Sequence, residues 1–341
     1  GLTPMVYCDN NPQVVGTTID GIEVLSYEQV RERYQQYYMI LTVAVNNAIP
    51  ILGQLNQAKE KNPIFHMEKP FKVDDELLEY DYLESHLQEF EKVYELLEDE
   101  QSKTIFLENI NFRLSGDKIK LAKYIDGNTF FDEKLIPMSE HYSYVDVGAY
   151  TGDTLLRFYA FCGGKYDAIY AVEPDKGNFS SLERLVKYGK LEDVFLFQVG
   201  GWDCKDELVF YTIDDSNARN FDSPNFFKNM NKTVPSSWKI GKEHFVEQKI
   251  AVDTVDHLLQ GRECTLLKIN ALAADFQVLK GSAETIKRCR PVIVGEFGVR
   301  KENLTKMLLF IKEISPSYHI YLRQKMIFGD YKTVFTAVCD S

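Results

Sequence analysis

The sequence predicts an α/β fold built on a seven-stranded, mostly parallel β-sheet that ends in an antiparallel hairpin. From about residue 140 onward, short apolar runs alternate with helix-like segments, a pattern typical of parallel strands that helices cover on both faces. The last two apolar runs have no helix between them, which indicates the hairpin. With 341 residues, 45% of them hydrophobic, the chain is long enough for two domains with buried cores.

The first 70 residues predict a small Rossmann-like α/β unit. Residues 5–8, 22–25 and 38–45 form apolar runs of strand length, and a helix is expected to begin near Tyr27. Because an α/β unit rarely begins on a strand that ends in an acid such as Asp9, we expect this unit to be incomplete, with an earlier strand and helix missing.

Residues 71–135 are predicted to be a helical linker or lid. Apolar residues recur there at spacings of three and four between acidic residues, as in an amphipathic helix over residues 74–100. These apolar residues are Leu83, Leu87, Phe90, Tyr94 and Leu97. One interpretation is a solvated helix that joins two domains. The other is that the helix, with residues 111–113, roofs the cleft of the second domain.

Residues 136–341 carry the predicted sheet. Its parallel strands are expected at residues 144–147, 168–172, 194–199, 265–269 and 291–295, and its hairpin at residues 319–322 and 333–338. Residues 208–211 predict an added hairpin arm, and 214–241 a long polar loop that includes residues 216–219 and lines the substrate pocket. Five strand–helix steps followed by a hairpin match the sheet of class I methyltransferases better than a six-stranded dinucleotide-binding fold.

A glycine-rich turn follows the first strand of this sheet, where doubly wound sheets bind their ligands. Its pattern, Asp146-x-Gly148-x-x-x-Gly152, lacks the G-x-G-x-x-G spacing of nicotinamide dehydrogenases. Asp153 at the start of the next helix would also repel a pyrophosphate. A glycine turn alone fits a tight strand–helix connection equally well. Glu173, which ends the second strand, favours a ligand with two ribose hydroxyls, and the pair predicts S-adenosylmethionine (SAM) as the cofactor.

The residues expected to bind the cofactor lie in the turns after the first three strands. They are Asp146, Gly148, Ala149, Tyr150, Gly152, Asp153, Thr154, Glu173, Pro174, Asp175, Gly200 and Trp202. Asp146 is placed to pair with the ammonium group of the methionine moiety. Trp202 follows the third strand, where it can either stack on the adenine or pack in the core.

Several segments resemble the FkbM family of SAM-dependent methyltransferases. They are YVDVGAYTGDT at 144–154, AVEPD at 171–175, LKIN at 267–270, VLKG at 278–281, RPVIV at 290–294 and IYLR at 320–323. The resemblance covers roughly residues 120–340, and residues 9–25 resemble a Rossmann-like half-domain that precedes the methyltransferase in longer members. It implies a class I fold and O-methylation of a hydroxyl group, often on a sugar or natural product.

The end of the fourth strand departs from that family's pattern. The family usually reads KIDxEGAE there, whereas this chain reads KINALAAD at 268–275. A hydroxyl acceptor needs a base, and the Asn270 amide cannot serve as one. Asp275 keeps a carboxylate but can equally be an acid favoured in the first turn of a helix, and Glu296 at the end of the fifth strand is a second candidate. Asn270, Asp275 and Glu296 are therefore the candidate catalytic residues.

Composition limits the partners of the chain. The net charge of −12 and the absence of a long basic cluster argue against nucleic acid. The six cysteines are widely spaced, which predicts buried thiols and no metal site. No apolar run approaches membrane-spanning length, so we expect a cytoplasmic location. A face left open on the N-terminal unit favours a homodimer.

Three functions remain open from the sequence. The first is an active O-methyltransferase that acts on a small molecule or sugar. The second is a SAM-binding protein whose chemistry has weakened and which serves as a partner module, as the changes at 270–274 suggest. The third, a nicotinamide or nucleotide-sugar enzyme, would need a pyrophosphate-binding turn that the sequence lacks.

Overall fold

A computed structural model describes residues 3–43, 45–67, 78–117, 119–213, 226–227, 245–271, 274–298, 300–327 and 330–340. The chain divides into two compact units, Gly1–Glu68 and Lys69–Ser341.

Small sheets and two helices make up the described part of the first unit. The elements are β1 (Tyr7–Cys8), β2 (Thr18–Ile19), β3 (Ile22–Leu25), α1 (Tyr27–Arg33), β4 (Met39–Leu41), α2 (Val45–Gln57) and β5 (Ile64–His66). β1 pairs in parallel with β3, and β4 with β5. The strand predicted at 38–45 is wrong in length, because Val45 already begins α2. A short apolar run fits either element, and the tertiary context decides between them.

The second unit contains the remaining elements. They are α3 (Tyr80–Ser85), α4 (Leu87–Leu96), α5 (Glu100–Ser115), α6 (Ile119–Ala122), β6 (Ser143–Val147), α7 (Asp153–Phe161), β7 (Ala168–Val172), α8 (Lys176–Gly189), β8 (Val194–Phe197), β9 (Gly200–Gly201), β10 (Asp206–Ile213), β11 (Phe226–Phe227), β12 (Phe245–Asp253), α9 (Val255–Leu259), β13 (Leu266–Ile269), α10 (Asp275–Lys280), α11 (Ala283–Cys289), β14 (Val292–Glu296), a 3-10 helix (Lys301–Leu304), α12 (Lys306–Ile314), β15 (Tyr318–Ile327) and β16 (Asp330–Cys339).

The main sheet has seven strands in the order β15-β16-β14-β13-β6-β7-β8. The strands from β14 to β8 run parallel, and β16 is antiparallel to both of its neighbours. This confirms the predicted seven-stranded class I sheet with its terminal hairpin. The chain proceeds outward from β6 to β8 on one side and from β13 to β14 on the other. The switch point, where such sheets bind ligands, therefore lies between the carboxyl ends of β6 and β13.

A smaller sheet, in the order β11-β10-β12-β9, follows the third strand of the main sheet. The arm predicted at 208–211 belongs to β10, which pairs antiparallel with β12 along its whole length. Of the loop predicted at 214–241, the structure describes only β11, so residues 216–219 lie outside the described residues.

The helices before β6 pack on the hairpin side of the main sheet. The segment predicted as one helix is divided at His86 and again after Leu96, and residues 74–77 lie outside the described part. Phe90 and Phe106 are buried, and the Asp99 carboxylate pairs with Arg323 of β15 at 2.6 Å. The buried face of these helices therefore contributes to the core of the second unit. None of the described helices is both long and apolar enough to cross a lipid bilayer.

Candidate active site

The glycine turn after β6 is closed by backbone contacts on two sides. Gly148 has φ +79°, and its N–H and that of Ala149 each donate to the carbonyl of Val172 on β7 at 3.0 Å. A Cβ on Gly148 would lie 2.0 Å from the carbonyl oxygen of Asn270. Gly152 caps α7 with φ +92°, and a Cβ there would require the end of the Leu185 side chain to move. Glycine is favoured at both positions, because another residue would be strained at either one and would clash with the backbone at 148.

Asp146 is fully buried beneath this turn, and both of its oxygens have donors. The Lys268 ammonium group donates to Oδ1 at 2.7 Å, and the Thr154 hydroxyl donates to Oδ2 at 2.7 Å. Lys268 also donates to the Gly148 carbonyl at 2.7 Å, and its side chain is only 1% exposed. Both oxygens of Asp146 are thus bonded within the chain, and the contact with a ligand cation that we expected for it stays a prediction.

Lys268 is the site residue that sequence reasoning missed. A lysine inside the apolar run of β13 was the available signal, because a buried charge needs a partner of opposite sign. In the sheet register, Lys268 lies directly beside Asp146. The pair joins the two strands of the switch point.

Glu173 ends β7 and is 5% exposed. Its Oε2 accepts from the N–H of Tyr150 at 2.9 Å, and its Oε1 accepts from the N–H of Asp175 at 3.0 Å and from the Asn178 amide at 3.4 Å. Burial raises the pKa of Glu173 to about 7, although these hydrogen bonds oppose the shift. Because a carboxylate has about four acceptor positions and three are occupied, Glu173 can still accept one hydroxyl group.

The other acids near this turn have different surroundings. Asp175 caps α8 by accepting from the N–H of Asn178 at 2.9 Å, and Pro174 separates this cap from Glu173. Asp153 begins α7, where burial raises the pKa of its carboxyl. Asp175 therefore has a helix-capping role, whether or not it also contacts a ligand.

Gly200 and Trp202 lie in and just after β9, which pairs in parallel with β12. The Trp202 N–H donates to the carbonyl of Asp253 at 2.9 Å. Its side chain packs against a cluster of buried apolar residues that includes Leu208 and Val252. In this structure Trp202 is a packing residue, one of the two roles that its position allowed.

The end of β13 carries two acceptor oxygens that lack donors. Asp275 is fully buried, and its Oδ1 accepts from the N–H of Ala271 at 2.8 Å. Within the described part of the chain, neither Oδ2 of Asp275 nor Oδ1 of Asn270 has a hydrogen-bond partner, and both atoms are buried. Burial, with a smaller contribution from the charge of Glu296, raises the pKa of Asp275 to about 7.

Glu296 ends β14, next to β13 in the sheet, and its side chain is 15% exposed. The Lys332 ammonium group on β16 donates to Oε1 at 3.0 Å and to Oε2 at 2.8 Å. The structure thus brings all three candidate catalytic residues to one edge of the sheet. Among the residues described, no group of three or more His, Cys, Asp or Glu side chains is placed to hold a metal ion.

Comparison with known proteins gives a family and a fold. A family model described as "Methyltransferase FkbM domain" matches residues 146–319. The crystal structure of a methyltransferase FkbM from Methylobacillus flagellatus is similar with a TM-score of 0.68 at 16% identity, over 97% of this chain and 83% of that chain. No curated protein matches the sequence.

Two smaller methyltransferases share less of the structure. An rRNA methylase from Streptococcus thermophilus matches with a TM-score of 0.32 at 11% identity, over 65% of this chain and 92% of that chain. A putative methyltransferase from Streptococcus mutans, solved in complex with SAH, matches with a TM-score of 0.30 at 11% identity, over 64% of this chain and 92% of that chain.

Proposed function

Because the chain belongs to the FkbM methyltransferase family, we propose that it methylates a hydroxyl group on a small molecule or sugar and uses SAM as the methyl donor. The observation that carries the proposal is the Glu173 carboxylate, buried beside the glycine turn with one acceptor position left. Such a carboxylate suits a hydroxyl of a ribose.

The residues around the switch point fit this cofactor. Gly148 and Gly152, both with positive φ, allow the tight turn at the end of β6, and Glu173 would hold the ribose. When bound, SAM supplies a methyl group on a positively charged sulfur. Transfer from such a sulfur is an in-line displacement, so the main task of the chain is to hold cofactor and acceptor in line.

The acceptor proton needs a base, and we assign that role to Glu296. The Glu296 carboxylate lies at the end of β14, and its side chain is 15% exposed, so an acceptor hydroxyl can reach it. As the hydroxyl oxygen bonds to the methyl carbon and the carbon–sulfur bond breaks, an oxygen of Glu296 takes the hydroxyl proton. The Lys332 ammonium group stays beside Glu296 after Glu296 has taken the proton.

A SAM-binding protein without transfer activity is the second candidate. It is favoured by the stretch at 270–274, where the acid, the Glu and the Gly of the family pattern are replaced. Both candidate functions use the same cofactor cleft, and they differ only in whether the methyl group is transferred.

Calorimetric titration of SAM and S-adenosylhomocysteine (SAH) into the protein tests the shared part. We expect micromolar binding that Glu173→Ala abolishes, and absence of binding to the wild type would refute both candidates. The chemistry is then tested with a panel of hydroxylated sugars and small molecules and tritiated SAM. Glu296→Gln should lower kcat by about 10²–10⁴-fold and leave SAM affinity unchanged. If no acceptor is labelled by the wild type, the binding module is the better description.

A further inference from the structure

The ammonium group of the SAM methionine needs acceptors, and Asp146 is poorly suited to supply them. Both of its oxygens are already bonded, one of them to a buried lysine ammonium group. A second cation at Asp146 would face the charge of Lys268 at close range, with little water between them to screen it. The ammonium site must therefore lie elsewhere along the switch point.

The end of β13 offers what Asp146 lacks. Oδ1 of Asn270 and Oδ2 of Asp275 are buried acceptors with no donor among the described residues. Buried acceptors are rarely left unpaired in a native protein, so each such atom needs a physical explanation, and a bound ligand that donates to it is one. Asn270 lies directly against the glycine turn, since its carbonyl oxygen occupies the space that a Gly148 Cβ would need. The two orphaned oxygens thus lie on the side of the cleft opposite Glu173.

We propose that Asn270 and Asp275 together bind the ammonium group of SAM, and that Asp146 instead holds Lys268 beneath the glycine turn. This inference rests on the proposed function. An ammonium group brings three N–H donors and one positive charge. The two unpaired oxygens can accept two of these donors, and the Asp275 carboxylate can balance the charge. In this arrangement Asp275 belongs to the cofactor site, which leaves the acceptor proton to Glu296.

The proposal also accounts for the amide at position 270. The charge of Glu296 already acts on Asp275 and contributes to its raised pKa. An aspartate at 270 would add a third carboxylate to this cluster, and like charges in a buried site oppose ionisation. Asn270 offers an acceptor oxygen without that charge, so Asp275 supplies the single negative charge that an ammonium group requires.

The test compares three ligands by calorimetry. SAH carries the ammonium and carboxylate groups of its homocysteine part, its decarboxylated form keeps only the ammonium group, and 5′-methylthioadenosine has neither. None has a charged sulfur, so affinity differences report on the amino-acid part alone. Asp275→Asn should weaken SAH and its decarboxylated form by at least about tenfold and leave 5′-methylthioadenosine unchanged. Glu173→Gln, the matched control, should weaken all three alike because they share the ribose.

Other results would overturn the inference. If Asp275→Asn weakens all three ligands equally, or none, Asp275 does not bind the ammonium group. The double variant Lys268→Met/Asp146→Asn is a second test. Because the proposal does not place the ammonium group at Asp146, this variant should keep the affinity ratio of SAH to 5′-methylthioadenosine. Collapse of that ratio would assign the ammonium group to Asp146. If the wild type binds none of the three ligands, it is the proposed function that fails.

Discussion

The two sides of the switch point differ in whether the side-chain oxygens of their acids and of Asn270 are all hydrogen-bonded. On the side of β6 and β7, each oxygen of Asp146 and Glu173 accepts at least one hydrogen bond from the chain itself. On the side of β13 and α10, buried oxygens of Asn270 and Asp275 have no donor within the described residues.

This contrast indicates a division of labour. The carboxylates of the β6–β7 side are hydrogen-bonded before any ligand arrives, so the adenosine binding that we propose there would require little rearrangement. On the β13 side, buried acceptors without donors lower the stability of the fold, and a ligand with matching donors would remove this penalty. The departures from the family pattern also fall on the β13 side, so changes there can alter chemistry or ligand preference while the adenosine site is kept.

The largest expected effect comes from breaking the link between the two sides. Lys268→Met leaves the Asp146 carboxylate buried without its cation and should lower the free energy of unfolding by about 3–5 kcal/mol. Urea unfolding would measure it. Lys268→Met/Asp146→Asn removes both charges and should recover most of the loss. A double variant as unstable as the single one would mean that the pair is not what stabilises the switch point.

A substitution in the glycine turn tests whether the β6 side tolerates an added side-chain atom. Gly148→Ala adds backbone strain and places a Cβ against the Asn270 carbonyl, so it should cost at least about 2 kcal/mol and weaken SAH binding. Gly261→Ala is the matched control, because Gly261 has φ +81° and open space around it. That change should cost only about 1–2 kcal/mol and leave binding intact. Equal effects on SAH binding would contradict a close contact at residue 148.

The smallest effect concerns protonation of Glu173. Its pKa of about 7 in the free protein lies above the ordinary value, so lowering the pH protonates it and removes acceptor capacity for the ribose. Affinity for 5′-methylthioadenosine, which lacks the ammonium group, should therefore fall about tenfold from pH 8 to pH 6. Calorimetry at several pH values would measure it.

Glu173→Gln provides the reference for that profile. The amide cannot titrate, and its binding of 5′-methylthioadenosine should be weaker and independent of pH. The neighbouring Asp175 and the Tyr150 and Asp175 amides are the same in both proteins, so they cannot explain a difference. If the wild-type affinity for 5′-methylthioadenosine did not change between pH 6 and pH 8, Glu173 would stay ionised over that range. Some other interaction would then offset the effect of burial on its pKa.

Sequence alone determined the architecture of the second unit and the position of its cleft. Alternating apolar runs and helices require a covered parallel sheet, and the local chemistry of Gly148 and Gly152 requires a tight turn at a strand end. These features depend on short stretches of chain, in which periodicity and glycine conformation are informative. The assignment of residues to cofactor contacts stays a prediction, because no ligand contact tests it.

Tertiary structure alone decided what each polar side chain meets. Lys268 and Asp146 are 122 residues apart in the chain, and only the parallel register of β13 and β6 places them side by side. The packing role of Trp202 and the unpaired oxygen of Asp275 likewise depend on elements distant in sequence. Local patterns specify which strands form, but long-range register determines which charges are neutralised and which remain for a ligand.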